Sequence, residues 1–580
     1  MKNKTTKKLL ACVLTCGMLA GTLTGCGSSS TTSTQSSESK ASEAVSASTA
    51  EAGSEAEQST EASEEFDARS ITEGVKLTIA IPANAKVEDH NTNNQTLLIE
   101  EALGVDLEFV VIPSADYSSK LNVMVMGGEE LPDIIFNPSG YTEWIEEGVL
   151  VELSDYYNDL NFSANIREAE ERSGRKIVSY LTRPEGTIYA LPAISEELYT
   201  PVKQKMWVYQ PWLDKLGLDV PETMDEFYEA CKLICENDMN GNGKKDEIGV
   251  TGTSLGAWFD CMMSAFVYAH EGSWRLVEDG QVSFAYTTDE WKEGLKYIRK
   301  FFEEGLIPEE TLTQSSDQYK ALYYAEECVT FCFADWNYTG TDQQRRREYT
   351  VLPALEGPEG VQYSCYIPVI PSAGAVITTD CDNPDAAFLV LDYMCSADMS
   401  ITQRYGEQGV DWDYWETAQT KVGDASEFTS TFEGYDIVFY PYDMITFWNN
   451  TDAQNVCYRQ NGPYILDTTI TAGAGVWAEA ADELTRESAE LELITASSAL
   501  ACYEYIPDEV YDYAPLTTEE TEQTSDIKAA LLSYVKEMTS AFLSGDKDIE
   551  AEWDNYLNEL NKIGIEEYRN VLQTAYDRVH

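Results

Sequence analysis

"VKLTIAIPA" (residues 75–83), "TLLIEEALGVDLEFVVIP" (96–113) and "YSSKLNVMVMGGEELPDIIF" (117–136) follow one another closely near the start of the folded part of the chain. The first alternates apolar and polar residues as a strand does, and the second runs helix, Gly104, strand. In the third, Leu121, Met124 and Val125 share one helix face, Gly127-Gly128 stops the helix, and a short apolar strand ends at Phe136. The order is βαβαβ. It predicts a parallel sheet with helices on both faces that receives ligands at the carboxyl ends of its strands.

The same grammar continues. "GTIYALPAI" (186–194) reads as a turn and a strand leading into a crossover, and "PWLDKLGLDVPETMDEFYEACKLICEND" (211–238) as two helices. Thr223 is placed to cap the second, with Glu226 three residues on completing a capping box. Residues 287–305 form an amphipathic helix, and the last sixty residues are mostly helical. From about Val75 to His580 the chain is long enough for two lobes with separate cores.

What precedes the body is not a fold. Lys2, Lys4, Lys7 and Lys8 lead into "LLACVLTCGMLAGTL", a run too short to span a bilayer, so residues 1–25 read as a secretory signal. Leu23-Thr24-Gly25-Cys26 resembles the bacterial lipobox, which implies lipidation at Cys26 and tethering to the outer face of the membrane. Residues 26–70 are the lipidated Cys and a Ser/Thr/Glu/Ala-rich linker with too few large apolar residues to form a core.

Composition narrows the partners. The formal charge is -62, so nucleic acid, which is held by clustered Lys and Arg, is excluded as an expected partner, and anionic ligands are disfavoured. Ten cysteines follow Cys26. Cys231/Cys235 and Cys328/Cys332 are each spaced by four, which would place each pair on a helix face rather than in a zinc knuckle. Only His90, His270 and His580 are available as imidazole ligands, and free buried thiols are the default expectation.

"NDMNGNGKKDEIG" (237–249) begins like an EF-hand loop, with Asp238, Asn240 and Asn242 at alternate positions and Gly243 at the turn. Its twelfth position is Gly249, where an EF-hand carries a bidentate Glu. An Asn/Gly-rich loop without an ion is the alternative.

Taken together, "KLNVMVMGGEELPDIIF", "GTIYALP", "WLDKLGLDVPETMDEFYEACK" with "DMNGNGKKDEIG", and the C-terminal "FLSGDKDIEAEWDNYLNELNKIGIEEYRNVLQTAYDR" resemble family 1 extracellular solute-binding lipoproteins of ABC importers, in the large branch that includes oligosaccharide- and alginate-binding proteins. The resemblance implies an α/β, two-lobed periplasmic-binding-protein-like fold (type II). Each lobe would be a mostly parallel sheet flanked by helices, with extra C-terminal helices. Lobe 1 is expected at about 75–195 plus part of 325–400, and lobe 2 at about 200–320 plus part of 400–580.

The resemblance also implies a structural Ca2+ held by a loop that closes early, through the side chains of Asp238, Asn240, Asn242, Asp246 and Glu247 and the carbonyl of Lys244. It places the segments "FADW" and "YGEQGV" at the ligand cleft. A sugar presents hydroxyls around its edge and apolar faces above and below, so its receptor needs aromatic platforms beside short polar groups. Trp336 and Trp412 are the expected platforms, with Asp335, Glu407 and Asp411 accepting hydroxyl protons; Trp258 and Asn93 are further candidates.

The expected function is capture of a carbohydrate, a neutral oligosaccharide by the charge argument, and its delivery to ABC permease subunits by a monomeric, lipid-anchored, non-enzymatic receptor. A lipid-anchored glycoside hydrolase, or a receptor for a peptide or another solute, are the alternatives. No HExxH is present, the three histidines lie far apart in sequence, and among 101 acidic residues a pair of carboxylates at hydrolase spacing argues nothing.

Overall fold

The protein is described by a computed structural model that covers residues 66–196, 200–270, 273–322, 325, 328–334, 348–414, 453–467, 470 and 498–580 in full, and the backbone alone of 323, 438–440 and 476–477. Residues 65–580 cluster as one unit. Its strands are β1 (Lys76–Pro82), β2 (Asp106–Ile112), β3 (Ile134–Phe136), β4 (Leu191–Ser195), β5 (Met206–Tyr209), β6 (Ile248–Thr251), the hairpin β7 (Arg275–Glu278) and β8 (Gln281–Phe284), β9 (Thr330–Ala334), β10 (Tyr349–Leu352), β11 (Ser372–Ile377), β12 (Asp413–Tyr414), β13 (Val438–Tyr440), β14 (Tyr464–Leu466) and β15 (Val476–Trp477). The helices that matter below are α1 (Asn94–Leu103), α2 (Tyr117–Gly127), α3 (Met224–Cys235), α4 (Ala257–Met263), α5 (Asp289–Glu303), α6 (Pro384–Met394), α7 (Ala397–Tyr405), α8 (Thr518–Ser544), α9 (Ile549–Ile563) and α10 (Ile565–Val579).

The opening βαβαβ unit forms as its sequence dictates. β1 pairs in parallel with β2, Lys76 opposite Asp106, and with β3, Ile79 opposite Ile134. Because side chains alternate across a sheet, Leu77, Ile79 and Ile81 enter one apolar core while Ala80 faces another built with Leu121, Val125 and Trp144. Both faces of β1 are therefore covered, as a central parallel strand requires. β2 lies at the sheet edge and leaves Val110 and Val111 partly exposed. α1 starts at the Asn93 cap and ends at Gly104, whose φ of 70° is the left-handed conformation that glycine adopts without a Cβ clash.

Six strands complete this sheet in the order β14-β4-β11-β3-β1-β2. A second sheet has the order β10-β5-β9-β6, and short strands β12, β13 and β15 form a third. Parallel pairing predominates in the first. In the second, β5 runs antiparallel to both of its neighbours and only β6 with β9 is parallel. The reason is connectivity: β5 enters directly from the first sheet, and β10 returns to it.

The second lobe has the larger core. Met206 and Val208 of β5, Phe227 and Ile234 of α3, Val250 of β6 and Phe331 of β9 join Leu531, Val535, Phe542, Trp553, Tyr556 and Leu572 of the C-terminal helices in one apolar cluster. The C-terminal helices are thus part of this lobe's interior packing. Thr223 and Glu226 make the predicted capping box on α3. Cys231 and Cys235 lie on that helix, but Cys332 sits in strand β9, so Cys328 and Cys332 do not share a helix face.

Candidate functional site

Topology alone says where a ligand would meet both lobes. β4 ends at Ser195 and β5 begins at Met206; β10 ends at Leu352 and β11 begins at Ser372. The chain therefore crosses between the sheets from the end of β4 to the start of β5 and from the end of β10 to the start of β11, and again between Leu466 and Thr518. β11 runs against β3 and β4, while β1, β2 and β14 run with them, so the carboxyl ends of β1, β3, β4 and β14 point toward the crossings. β9 and β10 run against β5, and β6 with β9, so the carboxyl ends of β6, β9 and β10 point there too. Open α/β sheets bind ligands at such ends.

The crossings lie side by side: the Ile367 amide donates to the Pro201 carbonyl at 2.7 Å, and the Ser364 amide to that of Tyr505 at 2.9 Å. Arg175 pairs with Glu196 at 2.9 Å and Arg172 with Asp467 at 2.8 Å, tying the starts of two crossings to the first lobe. Burial pushes the Glu196 carboxyl up, and Arg175 opposes it.

The predicted pocket residues separate into three groups. Asp335 and Trp336 directly follow Ala334, the last residue of β9, and lie outside the described residues. Trp412, expected as a platform, and Trp258, a further candidate, are both fully buried in core packing. Trp412 packs with Ile401, Tyr405, Leu466 and Ile470, and its indole N–H donates to the Gly406 carbonyl at 2.9 Å. Trp258 packs against Phe259 and Phe302 and donates to the Ser254 carbonyl at 2.6 Å. Gly252 makes room for it: a Cβ there would stand 2.3 Å from the indole.

Asn93 is also a structural residue. It is fully buried, accepts from the Gln95 amide at 3.1 Å as the cap of α1, and donates to the Cys457 carbonyl. The two acids of the 406–412 turn face inward and outward. Asp411 accepts the Glu407 amide at 2.8 Å and abuts Gly406, whose φ is 100°; burial pushes its carboxyl up. Glu407 is exposed.

A polar cluster that the sequence reading passed over sits at the carboxyl end of β3. Asn137 adopts φ 47°, donates to Asn461 Oδ1 at 2.9 Å and accepts from the Gly462 amide at 3.2 Å. Arg459 and Gln460 also hold left-handed conformations, at φ 54° and 62°, and Arg404 donates to Gln460 Oε1 at 2.6 Å. Three non-glycine residues in this region of backbone space, gathered at one strand end, are the kind of strain that persists at binding sites. The dipeptide Asn461-Gly462 is the turn signal that could have flagged it. An open groove of about 860 Å³, lined by Tyr534, Asn555, Asn558, Glu559 and Lys562, lies elsewhere, on α8 and α9.

The loop after α3 is built as an oxygen-rich turn. Asp238 Oδ1 accepts from the Gly241 amide at 2.7 Å and Oδ2 from that of Gly243 at 2.8 Å; Asn240 Oδ1 accepts from Asn242 and Asn242 Oδ1 from Lys244. Asn242 Nδ2 donates to both oxygens of Asp246. Glu247 is buried. Its Oε1 accepts from the amides of Met239 and Asn240, whereas its Oε2 is buried with no hydrogen-bond partner. A buried carboxylate oxygen without a donor is costly unless a cation or water completes it, and carboxylate and amide oxygens that each retain lone pairs are a hard-cation donor set. These donor types are the ones Ca2+ takes, although among the described residues no three His, Cys, Asp or Glu side chains converge into a metal cluster. The sequence did not foretell Lys215, whose ammonium donates to the carbonyls of Asp238 and Met239. Gly249 cannot be a ligand position because it lies in β6, where a Cβ would meet the Leu306 carbonyl at 2.8 Å and Cys231 at 3.1 Å.

Among the described residues no helix is long and apolar enough to cross a membrane. The family model described as bacterial extracellular solute-binding protein matches residues 97–401. The fructooligosaccharide ABC transporter substrate-binding protein FusA of Streptococcus pneumoniae is 25% identical over 526 residues, 86% of this chain and 89% of that one. A solved extracellular solute-binding protein from Bifidobacterium longum subsp. infantis superposes with a TM-score of 0.69 at 22% identity, covering 87% of this chain and 98% of its own. An EF-hand mutant of FusA in complex with fructo-nystose superposes with a TM-score of 0.62 at 22% identity over 87% and 99%. The fold is that of two-domain solute-binding proteins, and the chain belongs to the bacterial extracellular solute-binding family.

Proposed function

We propose that this protein is a lipid-anchored receptor that captures a neutral oligosaccharide between its lobes and passes it intact to the permease subunits of an ABC importer. The observation that carries the reading is the convergence of strand carboxyl ends from both sheets on the three crossings, in a chain that belongs to a solute-binding family and is similar over most of its length to FusA. Crossings of this kind are where lobes hinge closed on ligand. The net charge of -62 favours a neutral sugar over an anionic one, and Cys26 supplies the anchor. Asp335, Trp336 and Glu407 remain the sugar contacts of the reading, joined by Asn137, Gln460 and Asn461, whose amides suit hydroxyl recognition. The receptor acts as a monomer without chemistry of its own.

Ca2+ belongs to the same proposal as a structural ion. Asp238, Asn240, Asn242, Asp246, Glu247 and the Lys244 carbonyl would hold it, and it would supply the positive charge that the buried Glu247 carboxylate lacks. Bound there, it would fix the loop that joins α3 to β6.

Incubating the purified protein with a panel of fructo-, gluco- and galacto-oligosaccharides tests the function. Stoichiometric binding by calorimetry, with the sugar recovered unchanged, is the expected outcome. Release of shorter sugars would turn the reading toward a hydrolase, and a response to peptides alone would remove the sugar.

A further inference from the structure

Ten cysteines of the described chain are free, and two of them touch. Cys365 Sγ lies 3.2 Å from Cys261 Sγ, although the residues are 104 positions apart. Cys261 sits on α4 in the second lobe and is partly exposed; Cys365 is buried in the second crossing, residues 353–371. The surroundings fix both. Ser264 Oγ is 3.9 Å from Cys365, and Cys261 lies 3.9 Å from the Gln204 carbonyl of the first crossing. On either side of Cys365, Ser364 donates to Tyr505 of the third crossing, and the Tyr366 carbonyl accepts from Tyr268 of the second lobe at 2.6 Å.

We propose that Cys261 and Cys365 form a reversible disulfide site that ties the second crossing to the second lobe. A disulfide has an S–S distance near 2.05 Å, so the sulfurs need to close by only about 1 Å from contact. The co-reactant is a small disulfide, available outside the reducing cytosol where the family works. Cys261, the accessible thiol, loses its proton and attacks the small disulfide, forming a mixed disulfide and releasing one thiolate. Cys365 then loses its proton and attacks the Cys261 sulfur, releasing the second thiolate. The protein pair gives up two electrons, and the two protons go to the two small thiols. The product joins α4 covalently to the strand of chain about which the lobes would turn.

The test needs no variant to begin. The purified full-length body is incubated with glutathione disulfide, free thiols are alkylated, and peptides are mapped by mass spectrometry. The expected result is two fewer alkylated cysteines, a linked peptide pair containing Cys261 and Cys365, and reversal by dithiothreitol. In Cys365→Ser the glutathione adduct should persist on Cys261, and in Cys261→Ser the buried Cys365 should stay unmodified. Amide exchange of residues 361–368 should slow in the oxidised protein, whose melting temperature should rise by roughly 4 °C from closing so long a loop. Full alkylation of both cysteines, a persistent adduct on wild-type Cys261, or a link to any other cysteine overturns the site. A disulfide that leaves exchange across 361–368 unchanged overturns the tie. Sugar binding is not part of either readout, so failure here leaves the proposed function standing.

Discussion

The loop at 238–247 and the turn at 406–412 read alike in sequence, each a glycine-containing stretch rich in carboxylates beside helical elements, yet they use those groups differently. In the turn, Asp411 bonds its own backbone and Trp412 fills a core. In the loop, Asp238 and the asparagines also bond their own backbone, but Glu247 brings an oxygen into the interior that no donor meets. Residue type is the same signal in both. What marks a site for a ligand is hydrogen-bonding capacity that the fold leaves unused.

The sharpest way to break this comparison is to truncate the buried indoles. Trp412→Ala and Trp258→Ala should each cost about 3–5 kcal/mol of stability through the cavity they leave, read as a large fall in melting temperature of the sugar-free protein. Retained stability with lost sugar affinity would return either residue to the pocket.

The loop comes next. Ca2+ at a hundred times its dissociation constant should stabilise the fold by about 2.7 kcal/mol. EDTA should therefore lower the melting temperature of the wild type. Glu247→Gln, which replaces the unpartnered oxygen with an amide, should abolish that response while leaving sugar affinity largely unchanged. Elemental analysis that finds no metal, together with an unchanged melting curve in EDTA, would leave the loop as an Asn/Gly turn.

These two regions also show how much was legible. The βαβαβ order, the cap at Thr223 and the C-terminal helices were readable because each depends on neighbours within a few positions. The mixed second sheet was not, because the antiparallel placement of β5 follows from where β9 and β10 return, over a hundred residues later. Site residues divide along the same line. The calcium-type spacing is local to one loop, so it could be read directly. Trp412 could be judged only once Leu466 and Ile470 were seen packed on it, and Asn137 only once residues 458–462 were placed over the end of β3.

A smaller effect concerns Trp336. If it stacks on sugar, Trp336→Ala should weaken binding about tenfold, the equivalent of ~1.4 kcal/mol, with the melting temperature of the unliganded protein nearly unchanged. A drop in stability with affinity retained would give it the fate of Trp412.

The smallest effect tests the turn itself. Asp411→Asn keeps an oxygen to accept the Glu407 amide, so at neutral pH stability should change by no more than about 0.5 kcal/mol, and sugar affinity should hold. The pH dependence should nevertheless differ in sign from that of an ion-paired acid. Burial raises the Asp411 carboxyl above its ordinary value, so the folded state binds its proton more tightly than the unfolded state does. The stability this contributes is fully present below the ordinary aspartate value and is lost as pH rises through the raised one. The wild type should therefore lose stability relative to Asp411→Asn on going from pH 3 upward, levelling once the carboxyl is ionised in both states. Paired melting curves at half-unit steps read that difference directly. A wild-type advantage that grows with pH would mean that Asp411 meets a cation or a donor in the folded protein, and the turn would then rejoin the loop as a place where the fold leaves a carboxylate to be used.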